Sequence, residues 1–370
     1  MDGGDMDRDG DVDRALLQEL LATYGPCGQE DAVRDICRRE LGPLVDEVWV
    51  DAAGNLVGLI RGADDTGDAP VVRVMAHMDE LSMLVKRVEP DGSLHVTQLG
   101  TMYPGNFGLG PVAVLGDRET LCAVLTLGSE HTTKESSRIW ETKPDGGDKA
   151  MDWLHVYVFT GRTPEQLADA GVQPGTRVCI DRSKRTLVEF GDYLGCYFID
   201  DRAAVTTLLQ TARLLAKPGH RPAGDVYLVF TTNEEIGGVG GAYASRTLPG
   251  DLTLAVEVGP TESEYNTTCS GGPIVAYSDA LCVYDKDVAD TLMDIAGGLG
   301  LSPQPAVLGA FESDASHAKA AGLSPRAALL CLPTLSTHGY EVIAHDAIAA
   351  VTRVVVAFLR DPAPASSFRA

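Results

Sequence analysis

Apolar residues recur at helical spacing from Val12 to about Thr23, and the turn-forming Tyr24-Gly25-Pro26 ends the run. A second amphipathic helix is predicted over Glu30 to Leu41, followed by two short strands, Val48 to Val50 and Leu56 to Ile60, around the hairpin signal Gly54-Asn55. Beyond the polar loop Gly62 to Pro70, the run Val71 to Ala76 has no alternation. It reads as a strand buried on both faces that leads straight into His77-Met78-Asp79-Glu80.

The texture changes from about Lys86 to Glu189. Short β-like runs such as Leu94 to Leu99, Val112 to Leu115 and Leu121 to Leu127 are split by Gly and Pro, as in a separate, mostly β insert. After Asp200-Asp201 the pattern alternates again: a helix near Ala203 to Ala216, strands at Asp225 to Thr232 and Leu252 to Val258, a helix at Asp287 to Ala296, a strand at Ala327 to Leu332 and a last helix at Asp346 to Leu359. Such alternation predicts an α/β fold with a mixed, largely parallel sheet covered by helices. The expected domains are therefore 1–85 with 190–370, interrupted by an inserted β-rich domain over 86–189.

A length of 370 residues suits two domains of roughly 100–200 residues each. Hydrophobic residues make up 44% and charged residues 22%, an ordinary globular balance, and no apolar run is long enough to cross a bilayer. The acidic stretch Met1 to Arg14 lacks the apolar core of a secretory signal. A net charge of −23 disfavours nucleic acid and anionic membrane as partners. The eight cysteines include no C-x-x-C pair, so a cytoplasmic protein with reduced thiols is expected. Asp5, Asp7, Asp9 and Gly10 imitate the start of a calcium loop, but Leu16 stands where the closing glutamate is required.

In open α/β sheets ligands bind beyond the carboxyl ends of the strands. His77 and Asp79, Glu234-Glu235, Glu257 and His338 all follow or close predicted buried strands, and Asp200-Asp201 marks the return from the insert. Singly, each signal is weak: a histidine at a strand end is more often structural, and paired acids usually face solvent. Together they form a histidine and carboxylate set, without thiolate, suited to divalent zinc, cobalt or manganese. A two-metal site needs a bridging carboxylate, further ligands on each ion and a spare carboxylate to take a proton from water. Glu234 beside Glu235 can supply one base and one ligand, and Asp79, two residues past His77, can orient its imidazole.

Ala76-His77-Met78-Asp79-Glu80, Asp200-Asp201-Arg202, Glu234-Glu235-Ile236-Gly237, Glu257 and Pro333-Thr334 leading to His338 resemble, in order and spacing, the glutamyl aminopeptidase family of tetrahedral aminopeptidases. The likeness runs through nearly the whole chain and includes Gly54-Asn55-Leu56 and Ser313-Asp314-Ala315. It implies a co-catalytic di-metal aminopeptidase, with zinc as the first expectation and cobalt or manganese as alternatives. Asp200 would bridge the ions, His77 and Glu257 would complete one, and Glu235 and His338 the other. Glu234 would be the general base, Asp79 would orient His77, and the Asp200-Asp201 peptide would be cis. The resemblance further implies peptide substrates, dimer contacts through the insert, and a hollow homo-oligomer of twelve subunits.

Departures from the family pattern remove no implied ligand, but Glu257, one methylene longer than aspartate, bears on the metal's coordination or preference and the others on specificity. Glu257 stands where aspartate is usual, Leu81-Ser82 replaces Val-Gly, Asn233 replaces glutamine, and Phe311-Glu312-Ser313 replaces a Gly-rich segment. His131 in the insert reads as structural, His317 and His345 as helical residues near the rim, and His95, His155 and His220 as surface or loop residues. Two other functions compete: a metal-dependent amidohydrolase or deacylase on a non-peptide amide, and a non-catalytic assembly protein that kept the fold. The position of the insert after His77, with only short connections expected after Glu235, favours the peptidase. The intact Glu234 and donor set argue against the scaffold.

Overall fold

Four apolar runs without alternation, Val72–His77, Val226–Thr231, Leu252–Pro260 and Ala327–Leu335, become adjacent strands buried along nearly their whole length. Each fully buried Val, Leu or Phe side chain contributes roughly 1.5–3 kcal/mol, so burial on both faces drives this pairing strongly. The computed structural model describes residues 13–63, 67–143 and 147–362. Asp5, Asp7, Asp9 and Gly10 lie outside them. Two units divide the chain: Met1–Asp79, Leu187–Thr337 and Glu341–Ala370 form the larger, Glu80–Thr186 and His338–Tyr340 the smaller.

Among the described residues, the larger unit is built on an eleven-stranded sheet. Val226–Thr231, Val72–His77, Leu252–Pro260 and Ala327–Leu335 run parallel to their neighbours in that order. The hairpin Glu47–Val50 and Leu56–Ile60 adds antiparallel strands at one side, as Gly54-Asn55 predicts. The helix Ile199–Leu215, buried almost all round, packs on the sheet and against Ala347–Arg360. The expected mixed, largely parallel α/β architecture with a small β-rich insert is thus what the chain adopts.

Several elements were not expected from the pattern, among them a helix after Glu235 and two strands ahead of Ser313. Val239–Thr247 is helical although it opens on Gly240 and Gly241, and it occupies what reads in the sequence as a short connection after Glu235. A Cβ on Gly240 would sit 2.4 Å from Asn55 Oδ1 and from the Thr232 carbonyl, so close packing outweighs the helix cost of glycine. Asp314–Ala320 is the short helix expected around His317, whereas Ile274–Ser278 and Gln304–Val307 are brief strands, the second containing Pro305. His345 is not helical: it lies in the turn before Ala347, with Nε2 3.0 Å from the Tyr193 carbonyl. His155 is buried and accepts the Asp152 N–H, and His95 lies within a strand.

In the smaller unit six strands close on themselves: Ser82–Val88, Leu94–Leu99, Tyr157–Phe159, Thr120–Thr126, Gly110–Leu115 and Arg177–Ile180. Thr120–Thr126 alternates exposed and buried positions as a barrel wall requires, and closure leaves no unpaired edge. Glu80 and Arg185, near the two ends of this unit's main segment, form a bidentate ion pair at 2.6 and 3.0 Å with both side chains fully buried. Arg185 Nε also donates to the Ile180 carbonyl. Breaking such a pair leaves an uncompensated buried charge, which typically costs about 3–5 kcal/mol. Glu80→Ala is therefore expected to lower the midpoint of urea unfolding followed on a barrel probe such as Trp153 fluorescence, and an unchanged midpoint would contradict this account.

Candidate metal centre

Parallel register brings the chemistry together. Thr231 pairs with His77 at the carboxyl ends of their strands, and Glu257 lies in the neighbouring parallel strand. The turn after Val226–Thr231 carries Glu234 and Glu235, entered through Asn233 in the left-handed region at φ 54°, which asparagine tolerates better than most residues. Asp200 and Asp201 open the helix Ile199–Leu215 with non-helical backbone angles and a cis peptide between them, as the resemblance implies.

His77 is the hub. Its Nε2 lies 3.0 Å from Asp200 Oδ1, 3.8 Å from Glu257 Oε2 and 4.0 Å from Glu234 Oε2. Its Nδ1 lies 3.1 Å from the Asp79 backbone carbonyl, nearer than the Asp79 carboxylate at 3.7 Å. The main chain of Asp79 thus orients the ring more closely than its side chain does. With Nδ1–H donated to that carbonyl, Nε2 must face Asp200 across either a proton or a cation.

The Asp79 carboxylate has a different task. Its Oδ1 accepts the Glu234 N–H at 3.0 Å, and its Oδ2 accepts the Glu235 N–H at 3.1 Å and the Cys27 thiol at 3.2 Å. It therefore clamps the Glu-Glu turn. Glu30 supports the same turn by accepting the N–H groups of Gly28 and Asn233. Glu341 Oε2 accepts the Asp200 N–H at 2.8 Å.

These groups are almost wholly buried: His77 is 1% exposed, Asp201 0%, Glu257 4% and Asp200 7%. Burial raises the carboxyl groups of Glu234, Glu257 and Asp201 well above the ordinary range, neighbouring acids add to the rise, and charge on His77 opposes it. Burial also works against a charged His77, but Glu257 and Asp200 outweigh it and favour the imidazolium. Asp314 is pushed up to about 6 by burial, against the hydrogen bond that Thr231 donates to it at 2.5 Å. So many acceptors around one imidazole are the setting that a divalent cation would offset.

His77, Asp79, Asp200, Glu234, Glu235 and Glu257 thus come together in the larger unit. One ligand atom each of His77, Asp200, Asp201 and Glu257 lies within 4.8 Å of the others, and the same holds for Asp200 with Glu235. His338 follows the strand Ala327–Leu335 but is grouped with the smaller unit, where its Nδ1 lies 2.6 Å from the Thr101 carbonyl. The sequence singles out Asp201 only as the neighbour of Asp200 and gives no role to Asp314, Glu30, Glu341 or Cys27. Asp314 carried a local signal, the Ser313 N-cap just before it.

A family model described as M42 glutamyl aminopeptidase matches residues 54–354. The chain belongs to this family. Lysyl aminopeptidase of Pyrococcus furiosus is 26% identical to this M42 chain over 250 residues, 67% of this chain and 66% of that one, so just under two thirds of that relative is spanned. Among solved structures, an aminopeptidase from the archaeon Desulfurococcus kamchatkensis superposes with a TM-score of 0.84 at 24% identity, covering 96% of each chain. The TET1 peptidase of Pyrococcus horikoshii does so with 0.80 at 21%, covering 94% of this chain and 99% of that one. These likenesses establish the M42 fold. No helix among the described residues is long and apolar enough to cross a membrane.

Gly241, at the start of Val239–Thr247, shows how tightly the rim of this M42 site is packed. A Cβ there would lie 2.4 Å from Asp314 Oδ1. Gly241→Ala is expected to lower stability by about 1–3 kcal/mol through overpacking. A melting temperature equal to that of the unsubstituted protein would show that the contact yields freely.

Proposed function

We propose that this M42 chain is a metal-dependent aminopeptidase that removes N-terminal residues from peptides, with Glu234 as general base. The observation that carries this reading is the approach of Asp200, Glu257 and Glu234 to one buried imidazole nitrogen, all within 4.0 Å. The donors fit divalent cations: an oriented imidazole, carboxylates that burial alone would force to take up protons, and no thiolate among the proposed ligands.

In this reading His77, Asp200 and Glu257 hold one ion, and Asp200, Glu235 and His338 hold the other. Zinc, cobalt or manganese suits such nitrogen and oxygen donors. The bond of His338 Nδ1 to the Thr101 carbonyl supports its role, because it selects the tautomer whose lone pair sits on Nε2. When bound, such ions polarise the scissile carbonyl and let a water lose a proton near neutral pH.

Glu234 accepts that proton and returns it to the departing amine. Burial raises the proton affinity of its carboxylate, which suits a group that must take a proton and then give it up. Asp79 fixes the carboxylate's position by holding both peptide N–H groups of the Glu-Glu turn.

Self-assembly belongs to the same proposal. The Pyrococcus horikoshii TET1 peptidase can assemble into a tetrahedron or a large octahedral shell. We extend assembly to this chain as dimers through the inserted domain, 86–189, that build a twelve-subunit particle. A cytoplasmic setting goes with this reading, since none of the eight cysteines forms a disulfide among the described residues.

Glu234→Gln is expected to keep the fold and the metal content while cutting turnover of aminoacyl substrates by roughly two orders of magnitude or more. Equal turnover in the variant would remove Glu234 as the base. Hydrolysis of N-acyl substrates in place of those with a free amine would transfer the site to a deacylase. His77→Ala is expected to lower bound metal measured by plasma emission, and full occupancy of both sites would remove His77 from the ligand set.

A further inference from the structure

Within the buried set, the side chain of Asp201 is only half accounted for. Its Oδ2 accepts the backbone N–H of His77 at 3.2 Å, whereas its Oδ1, in a residue with no exposure at all, meets no hydrogen-bond donor. An acceptor left in this state costs about 1–3 kcal/mol, and more when it is charged. One carboxylate oxygen of Asp201 lies within 4.8 Å of a His77 nitrogen and of oxygens from Asp200 and Glu257. Donors at 2.0–2.2 Å from a single zinc ion are at most roughly 4.4 Å apart, so a small adjustment would bring all four onto one ion. Asp314 also has an unbonded, buried Oδ1, yet it does not join this group.

We infer that Asp201 is a direct ligand of the ion assigned to His77, Asp200 and Glu257, which anchors that ion through four protein side chains. The inference rests on the di-metal reading above and adds a donor to it. Asp201 then has two tasks, one for each oxygen: Oδ2 fixes the His77 main chain, and Oδ1 would complete the donor set. Four protein donors would close the coordination of this ion, as in sites where a metal holds structure and not substrate.

Two measurements test the assignment. In an anomalous-diffraction structure of the zinc-loaded protein, an Asp201 oxygen is expected about 2.0–2.2 Å from one ion. Asp201→Asn preserves the size of the side chain and the acceptor for His77 N–H. In chelator competition it is expected to weaken one of the two zinc sites by more than the roughly 10–100-fold that loss of an outer-shell partner costs, with circular dichroism unchanged. An Asp201 oxygen more than about 3 Å from either ion overturns the assignment even if the variant fails to fold, because that readout uses the unsubstituted chain. Two ions bound equally tightly by Asp201→Asn overturn it as well, while leaving the di-metal reading intact. An unsubstituted protein that takes up no zinc, cobalt or manganese overturns both.

Discussion

Negative charge gathered where water cannot reach it is the constraint around which this protein is arranged. Asp79, Asp200, Asp201, Glu234 and Glu257 crowd one imidazole at the carboxyl end of a parallel sheet. In water they would repel weakly; with solvent excluded, the interaction of like charges grows several-fold. Each must therefore be bonded, protonated or neutralised by a counter-charge. Asp79 is satisfied by two peptide N–H groups and a thiol, and so it becomes a fixture. Glu234, Glu257 and Asp201 lack such a complement, and their affinity for protons is a measure of their demand for a cation.

Holding these groups in place has required local concessions elsewhere. Asn233, Ser336 and His338 adopt left-handed backbone angles without being glycine, each next to or within a predicted donor segment. Such positions cost free energy and persist only where surrounding packing determines them. The uninterrupted burial of the four central strands provides that packing, and Gly240 and Gly241 let the following helix come close enough to lean on Asn55 and Asp314.

How much of this was legible in the sequence depended on the range of the forces involved. Val72–His77 and its three parallel neighbours were readable because burial on both faces writes itself as a continuous apolar run. The candidates His77, Glu234, Glu235 and Glu257 stood out in the sequence because they close or follow those runs. The helix Val239–Thr247 was hidden because its glycines answer to contacts distant in the chain, with Asn55 and Asp314, and not to local propensity. Asp201 was hidden for a similar reason: next to Asp200 it looks like the second half of a solvated acidic pair, and only the folded chain shows it buried with an oxygen to spare. Glu30 and Cys27, over two hundred residues from the turn they support, leave no local trace.

The rung that sets Thr231 beside His77 also acts as a ruler. Side chains on a strand alternate between faces, so inserting or deleting one residue within Val72–His77 would turn His77 to the opposite side of the sheet. Loops outside those rungs are under no such discipline and are free to drift. A superposition at TM-score 0.84 with 24% identity shows that fold shared while most of the residues differ.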